Sequence, residues 1–339
     1  MPAGEIGDPL HGHVRSRRRS RRAQVEDPCV RLRDEPLDGG EIDREAALGR
    51  RAVLHHPRAC ELARRAELGE RGLDDDHRHA WTRDDTRQRP KKIDRAVSLA
   101  PSLTEMIFAV GAGDTLVGVT SYCNYPEQAK SVQKIGDTMT PNIERIIALK
   151  PQVVFVSTSS QLEAFTKTLD EQGIAVFVSD AKSLDDVYRS FDQFGDLFGT
   201  KKQASNIISG LKRRAEAVRT RVDGKANPPK VFVQISNDPL FTIGKNSFLT
   251  EILEQAGGTS ATKDVATAYP KLSKETALAL NPDVIILSDS DDNKEPNEVF
   301  KNSPAVKNGR IYRINADIIS RPGPRLVDAI EQIATDLYP

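Results

Sequence analysis

The sequence predicts an α/β fold of two similar lobes joined by one long helix, and three observations carry that prediction. Short strands that are apolar throughout alternate with helical stretches, as in parallel sheets covered on both faces. One pattern of residues occurs twice along the chain. A proline-free stretch, Lys201 to Val222, lies between the two occurrences.

Composition separates this folded part from what precedes it. All six histidines lie before residue 80, and no lysine appears before Lys91. The first phenylalanine is Phe108, the first tyrosine Tyr122 and the first asparagine Asn124. Residues 1–92 are Arg-rich, poor in apolar residues and without sustained period, so the expectation is a disordered segment. Its bias also reads as out-of-frame translation of GC-rich DNA, that is, as a segment not native to the protein. A basic arm on Arg15 to Arg22 is the functional alternative, but acidic residues nearly balance the arginines and no aromatics interleave. No apolar run there has the length of a signal peptide, and Cys60 follows no lipobox-like stretch.

The domain reading that follows is 93–200 for a first lobe, 201–225 for a bridging helix and 226–339 for a second lobe. Arg95–Ala100 reads as a buried strand, followed by a helical run from Leu103 to Val110 that Gly111 terminates. Ser102 and Glu105 have the spacing of a capping box. Strands are expected at 116–120, 153–157 and 175–178, with helices at 142–149 and near 161–172. A loop from Ser121 to Thr140 carries Tyr122 and Tyr125. In Lys201–Val222 the apolar positions Ala204, Ile207, Ile208, Leu211, Ala215, Val218 and Val222 recur at three and four residues, which is one amphipathic helix. A second α/β block begins at Val231.

That block repeats the first. Leu103-Thr104-Glu105 leads to Gly111 and Leu249-Thr250-Glu251 leads to Gly257, at an offset of 146. Glu144, Leu149 and Pro151 match Glu275, Leu280 and Pro282 at an offset of 131, which places extra sequence in the first lobe's tyrosine loop. A period this long means two Rossmann-like lobes rather than a solenoid. A cleft between such lobes is where a small molecule would sit.

Catalytic motifs are missing. There is no P-loop, no complete dinucleotide fingerprint and no nucleophile elbow. Without histidine in the lobes, a Ser-His-Asp triad and a histidine-based zinc or manganese site are excluded there. The acidic run from Asp289 to Asp292 lacks the glycine and terminal glutamate of an EF-hand and reads as a solvated turn. The zero net charge points to no nucleic acid. Binding without catalysis, no metal and no required cofactor is the expectation; a cytoplasmic α/β enzyme or ligand sensor stays open.

Five motifs then mark a family: A-P-S-L-T-E (100–105), S-Y-C-N-Y-P (121–126), N-I-E-R-I-I-A-L-K-P (142–151), L-S-K-E (272–275) and D-I-I-S-R-P-G-P-R (317–325). The chain from about Arg95 to Leu337 resembles the helical-backbone (class III) periplasmic substrate-binding proteins of ABC importers, and within them the cobalamin-binding proteins. The resemblance implies parallel-sheet lobes, a cobalamin-like corrinoid as transported ligand, a periplasmic or cell-surface location, a monomer, and a transmembrane permease dimer as partner. By motif position it implies ligand contacts from Tyr125, Tyr269, Asp317 and Arg321, with Tyr122 and Phe241 as additions. It also implies one permease-docking glutamate per lobe, Glu144 and Glu275, the pair that the internal repeat matches independently. The chain departs from the pattern in having no tryptophan around Thr138 and Ser157. Haem and ferric-siderophore carriers belong to the same class and remain alternatives; Arg321 and Arg325 alone make a thin cluster for a highly anionic ligand.

Overall fold

The computed structural model describes residues 79–81, 90, 92–138, 140–157, 162–179 and 181–339. Every described residue lies in one compact unit of the chain. Among the described residues no helix is long and apolar enough to cross a membrane. Most of the segment expected to be unstructured lies outside the described residues. One part does not: β1 (His79–Trp81) pairs antiparallel with the edge strand of the first sheet. Nothing in its three-residue sequence announces a strand, because the pairing is supplied by a partner about 100 residues away in the chain.

The first lobe contains β2 (Ala96–Ser98), α1 (Pro101–Ala109), β3 (Leu116–Val119), α2 (Ile143–Ala148), β4 (Val153–Val156), α3 (Leu162–Glu171), β5 (Ala175–Ser179) and α4 (Leu184–Leu197). Its sheet has the order β1-β5-β4-β2-β3, and every pairing except that of β1 is parallel. Then comes α5 (Lys201–Val222), with the bounds its periodicity predicts. The second lobe contains β6 (Lys230–Gln234), α6 (Phe248–Gln255), β7 (Thr259–Ser260), α7 (Lys274–Leu280), β8 (Val284–Asp289), α8 (Pro304–Lys307), β9 (Ile311–Asn315), α9 (Ala316–Ile319) and α10 (Leu326–Leu337). Its sheet is wholly parallel, in the order β7-β6-β8-β9. From the far edge this reads fourth, third, first, second strand, as it does in the first lobe without β1. The repeat seen in sequence is therefore a repeat of topology.

Strand alternation divides the apolar residues between two faces. Val153 and Phe155 of β4 join one core, and Val154 and Val156 join another. In β8, Val284 and Ile286 face the first of these, while Ile285 and Leu287 pack with Phe232 and Phe300. The first core is shared by both lobes and by the stripe Ala204, Leu211 and Val218 of α5. Its densest part is aromatic: Phe155 lies edge-on to Phe177 and Phe194 at 5.6 and 5.3 Å between centroids.

Close packing of α4 on α5 depends on Gly195, where a Cβ would lie 2.6 Å from the Ala204 methyl. Further polar contacts fasten α5 at intervals. Gln203 donates to the Ala109 carbonyl at 2.6 Å, and Arg214 grips Glu331 and Asp328 of α10 at 2.6 to 2.8 Å. Because α5 is built into the same core as both sheets, it is a strut rather than a free linker.

Two expectations need correction at α1. The helix starts at Pro101, whose missing N–H costs nothing at the first turn. The capping box does not form: Ala100 is the N-cap without a side-chain bond, and Glu105 is directed elsewhere. Gly111 does end the helix, at φ +81, a conformation open to glycine. Asp289 closes β8, and the rest of the acidic run, to Asp292, is the turn that follows the strand, as its composition implies.

Candidate functional site

In parallel sheets with flanking helices, ligands sit beyond the carboxyl ends of the strands. Tyr122 and Tyr125 follow β3, Phe241 follows β6, Tyr269 follows β7, and Asp317 and Arg321 follow β9. All six sequence candidates therefore leave the sheets at that end. The structure gathers four of them.

The loop after β3 is held from within. The Lys134 ammonium donates to the Cys123 and Ala129 carbonyls at 3.0 and 2.9 Å, and the Ile135 N–H donates to the Val119 carbonyl. Burial lowers the pKa of Lys134. The buried Cys123 thiol packs between the Thr104 and Thr120 hydroxyls at 3.1 and 3.2 Å. This anchoring presents Tyr122, Asn124 and Tyr125 to the second lobe. On that side, Asn315 caps the short α9 through the Asp317 N–H, placing Asp317 one turn before Arg321.

Arg321, 7% exposed, is the hub. Its guanidinium reaches Asp317 Oδ1 at 2.8 Å, Asn124 Oδ1 at 2.8 Å, the Tyr122 carbonyl at 3.2 Å and Glu105 Oε1 at 3.1 Å. Asn124 completes the ring by donating to Asp317 Oδ2 at 2.8 Å. Arg325 grips Glu105 with two parallel bonds, Nε to Oε2 at 2.8 Å and Nη2 to Oε1 at 2.5 Å. Its guanidinium carbon also stands 4.3 Å from the centroid of the Tyr125 ring. Burial disfavours the Arg325 cation, but Glu105, Asp317 and Tyr125 more than offset this, and its pKa lies above the ordinary value. Two carboxylates thus meet two guanidiniums, and the group as a whole is charge-balanced.

Tyr125 is 47% exposed, and only Leu278 accompanies it among the described large apolar side chains that are exposed. Its ring is an aromatic surface held in place by a cation yet open to solvent. Phe241 and Tyr269 belong to a different array. Phe241 bridges to Ser236 and Lys271, and the Thr242 N–H donates to the Pro270 carbonyl at 3.1 Å. Phe241 is half-buried against the shared core, and Tyr269 is buried in it at 7% exposure. Tyr269 is packed as a core aromatic in this conformation rather than displayed as a platform.

Glu144 and Glu275 occupy the same place in their lobes, the second position of a short helix. Asn142 caps α2 through the Arg145 N–H at 2.8 Å, and Ser273 caps α7 through the Thr276 N–H at 3.2 Å. Both glutamates are exposed. Hydrogen bonds from its own N–H and from Ser273 hold the Glu275 carboxyl below its usual pKa.

Sequence reasoning missed Glu105 and Asn124 as site residues and undervalued Arg325. Each stands inside a family motif, so the signal was present. The partners that each one meets across the lobes lie 193 to 220 positions away and are not readable from spacing. Among the described residues, no group of three or more His, Cys, Asp or Glu is placed to hold a metal ion.

The model for the periplasmic binding protein family matches residues 97–318. The chain is 35% identical over 261 residues to an uncharacterized ABC transporter substrate-binding lipoprotein, YvrC, of Bacillus subtilis, covering 75% of this chain and 82% of the relative. A solved structure from Staphylococcus epidermidis, described as a possible iron-binding periplasmic solute-binding protein, shares 30% identity at a TM-score of 0.64, covering 74% of this chain and 100% of that one. The periplasmic vitamin B12 binding protein BtuF of Vibrio cholerae shares 28% identity at a TM-score of 0.63, covering 73% and 98%.

Proposed function

The chain belongs to the periplasmic binding protein family, and on that premise we propose that it captures a cobalamin-like corrinoid between its lobes and delivers it to the permease of an ABC importer. The observation that carries the ligand assignment is the charge balance of the interlobe group. Arg321 and Arg325 are the arginines an anionic ferric siderophore would need, and both are already engaged by Glu105 and Asp317. What this group offers a ligand is an exposed tyrosine ring and a set of oriented polar atoms. A large neutral molecule with apolar faces and amide side chains suits that combination. The kinship with the Vibrio cholerae vitamin B12 binding protein supports the same reading.

The protein works by binding and release, without turnover. Its place of work is outside the cytoplasmic membrane, as the names of the lipoprotein and periplasmic relatives suggest. Glu144 and Glu275 are the docking points, one per lobe, offered to arginines of a permease dimer. Exposed carboxylates at equivalent helix starts give a two-point, salt-sensitive contact. Haem is the second reading, favoured by Tyr125 as an exposed oxygen donor to iron. Calorimetric titration of the purified protein with cyanocobalamin, haem and a ferric siderophore panel tests both. Saturable binding of cyanocobalamin is the expected result; binding of haem or a siderophore alone overturns the corrinoid assignment.

A further inference from the structure

Glu105 has no part in ligand contact as the sequence motifs assign it, yet three hydrogen bonds from the other lobe converge on its carboxylate. The side chain is 1% exposed, so those bonds are made out of water. We propose that Glu105 is a specificity-setting residue: by cancelling the charge of Arg325 it keeps the interlobe site neutral and makes it reject carboxylate-bearing ligands. This rests on the interlobe location of the binding site argued above.

Charge bookkeeping supports the role. With Glu105 in place, two acids face two arginines. Without its charge, Arg321 keeps Asp317 at 2.8 Å, whereas Arg325 keeps only the Tyr125 ring and a 3.5 Å contact to the Asp317 carbonyl. A guanidinium so released stands against the exposed Tyr125 ring and presents a planar fork suited to carboxylate or phosphate. The internal repeat shows that the fold itself does not require this pairing. Glu251 occupies the equivalent position in the second lobe, takes a hydrogen bond from Gln255 at 2.9 Å, and has its pKa raised by burial and by Asp185 and Asp186. One member of the repeated pair is thus neutralised by arginines across the lobes, whereas the other reaches across to the Leu184 backbone N–H and stands near two acids, Asp185 and Asp186, instead.

Two measurements test the proposal. The first compares binding of cyanocobalamin with binding of its monocarboxylic acid, in which one side-chain amide is hydrolysed. Glu105→Gln should shift the acid-to-amide affinity ratio toward the acid by about tenfold or more, the scale of one unscreened charge at a partly buried site. The second follows melting temperature against citrate at constant ionic strength. Citrate should stabilise Glu105→Gln, leave the unaltered protein and Glu251→Gln unmoved, and lose its effect in the double variant Glu105→Gln, Arg325→Gln. A Glu105→Gln protein that loses affinity for both corrinoids alike and ignores citrate overturns the proposal, because Glu105 is then only a tie between lobes. If the unaltered protein binds neither corrinoid, the ligand assignment falls, and the citrate series still decides the role of Glu105. Should Glu105→Gln fail to fold, Arg325→Gln makes the opposite charge change at the same pair and should shift the acid-to-amide ratio away from the acid; an unmoved ratio overturns the proposal.

Discussion

Replacing Arg321 with methionine removes a guanidinium that is 8% exposed and pairs with carboxylates exposed by only 1% and 16%. Methionine keeps the length and apolar stem, so the lost terms are electrostatic. Breaking a buried pair by removing one partner costs about 3–5 kcal/mol, chiefly because an acid is left uncompensated. Here the lower end applies, since Glu105 retains Arg325 at 2.5 Å and Asp317 retains Asn124 at 2.8 Å. About 3 kcal/mol in a domain of this size lowers Tm by about 6–12 °C. Scanning calorimetry with urea titration at neutral pH reads the effect, and an unchanged m-value certifies that the denatured state is not what changed. Arg321→Lys should recover less than half, because an ammonium cannot reach Asp317, Asn124, Glu105 and the Tyr122 carbonyl from one plane. A Tm loss below about 2 °C in the methionine variant would refute the reasoning, since it would mean that the acids are already solvated or served by other partners.

Charge reversal of both Glu144 and Glu275 to arginine should abolish ligand uptake in cells while leaving affinity of the purified protein within about twofold; a fall in affinity removes the docking assignment. Tyr125→Ala should weaken ligand binding about tenfold or more, whereas Tyr125→Phe should retain most of it, because the ring and not the hydroxyl is the platform; calorimetric titration separates the two. Arg214→Met should cost about 1 kcal/mol at neutral pH, a modest figure because Arg214, Asp328 and Glu331 are each more than a third exposed. Arg214, through its hydrogen bonds, holds the Glu331 carboxyl below its ordinary value of 4.5. That stabilisation is therefore complete above pH 4.5 and is lost as the pH falls through the depressed folded value. The stability gap between the unaltered protein and Arg214→Met should be constant above about pH 6 and shrink toward acid; a gap that persists unchanged at pH 3 contradicts the assignment.

Much of the architecture was legible because it is written in local pattern. Strands such as Val153–Val156 are apolar throughout, and α5 shows its buried stripe at heptad spacing in Ala204, Leu211 and Val218. The Glu144 and Glu275 correspondence needed only the comparison of two stretches of chain, and the two lobes do share one strand order. Errors arose where a residue's partner is remote. Ser102 and Glu105 satisfy a local capping rule, yet two arginines over 200 residues away outcompete a single backbone N–H for the carboxylate.

The sequence by itself determined the α/β class, the doubled lobe and the bridging helix, since periodicity and repeated strings require no knowledge of what touches what, and its motifs carried the resemblance to the family. Only the tertiary structure decided which side chains share the space between the lobes. It joined Glu105 from α1, Asn124 from a loop after β3, and Asp317, Arg321 and Arg325 from the segment after β9 into one charge-balanced group. The reason is physical. Burial makes each of these charges costly unless an opposite charge meets it at hydrogen-bond distance, and which pairs meet is set by the packing of two sheets on α5 rather than by any spacing along the chain.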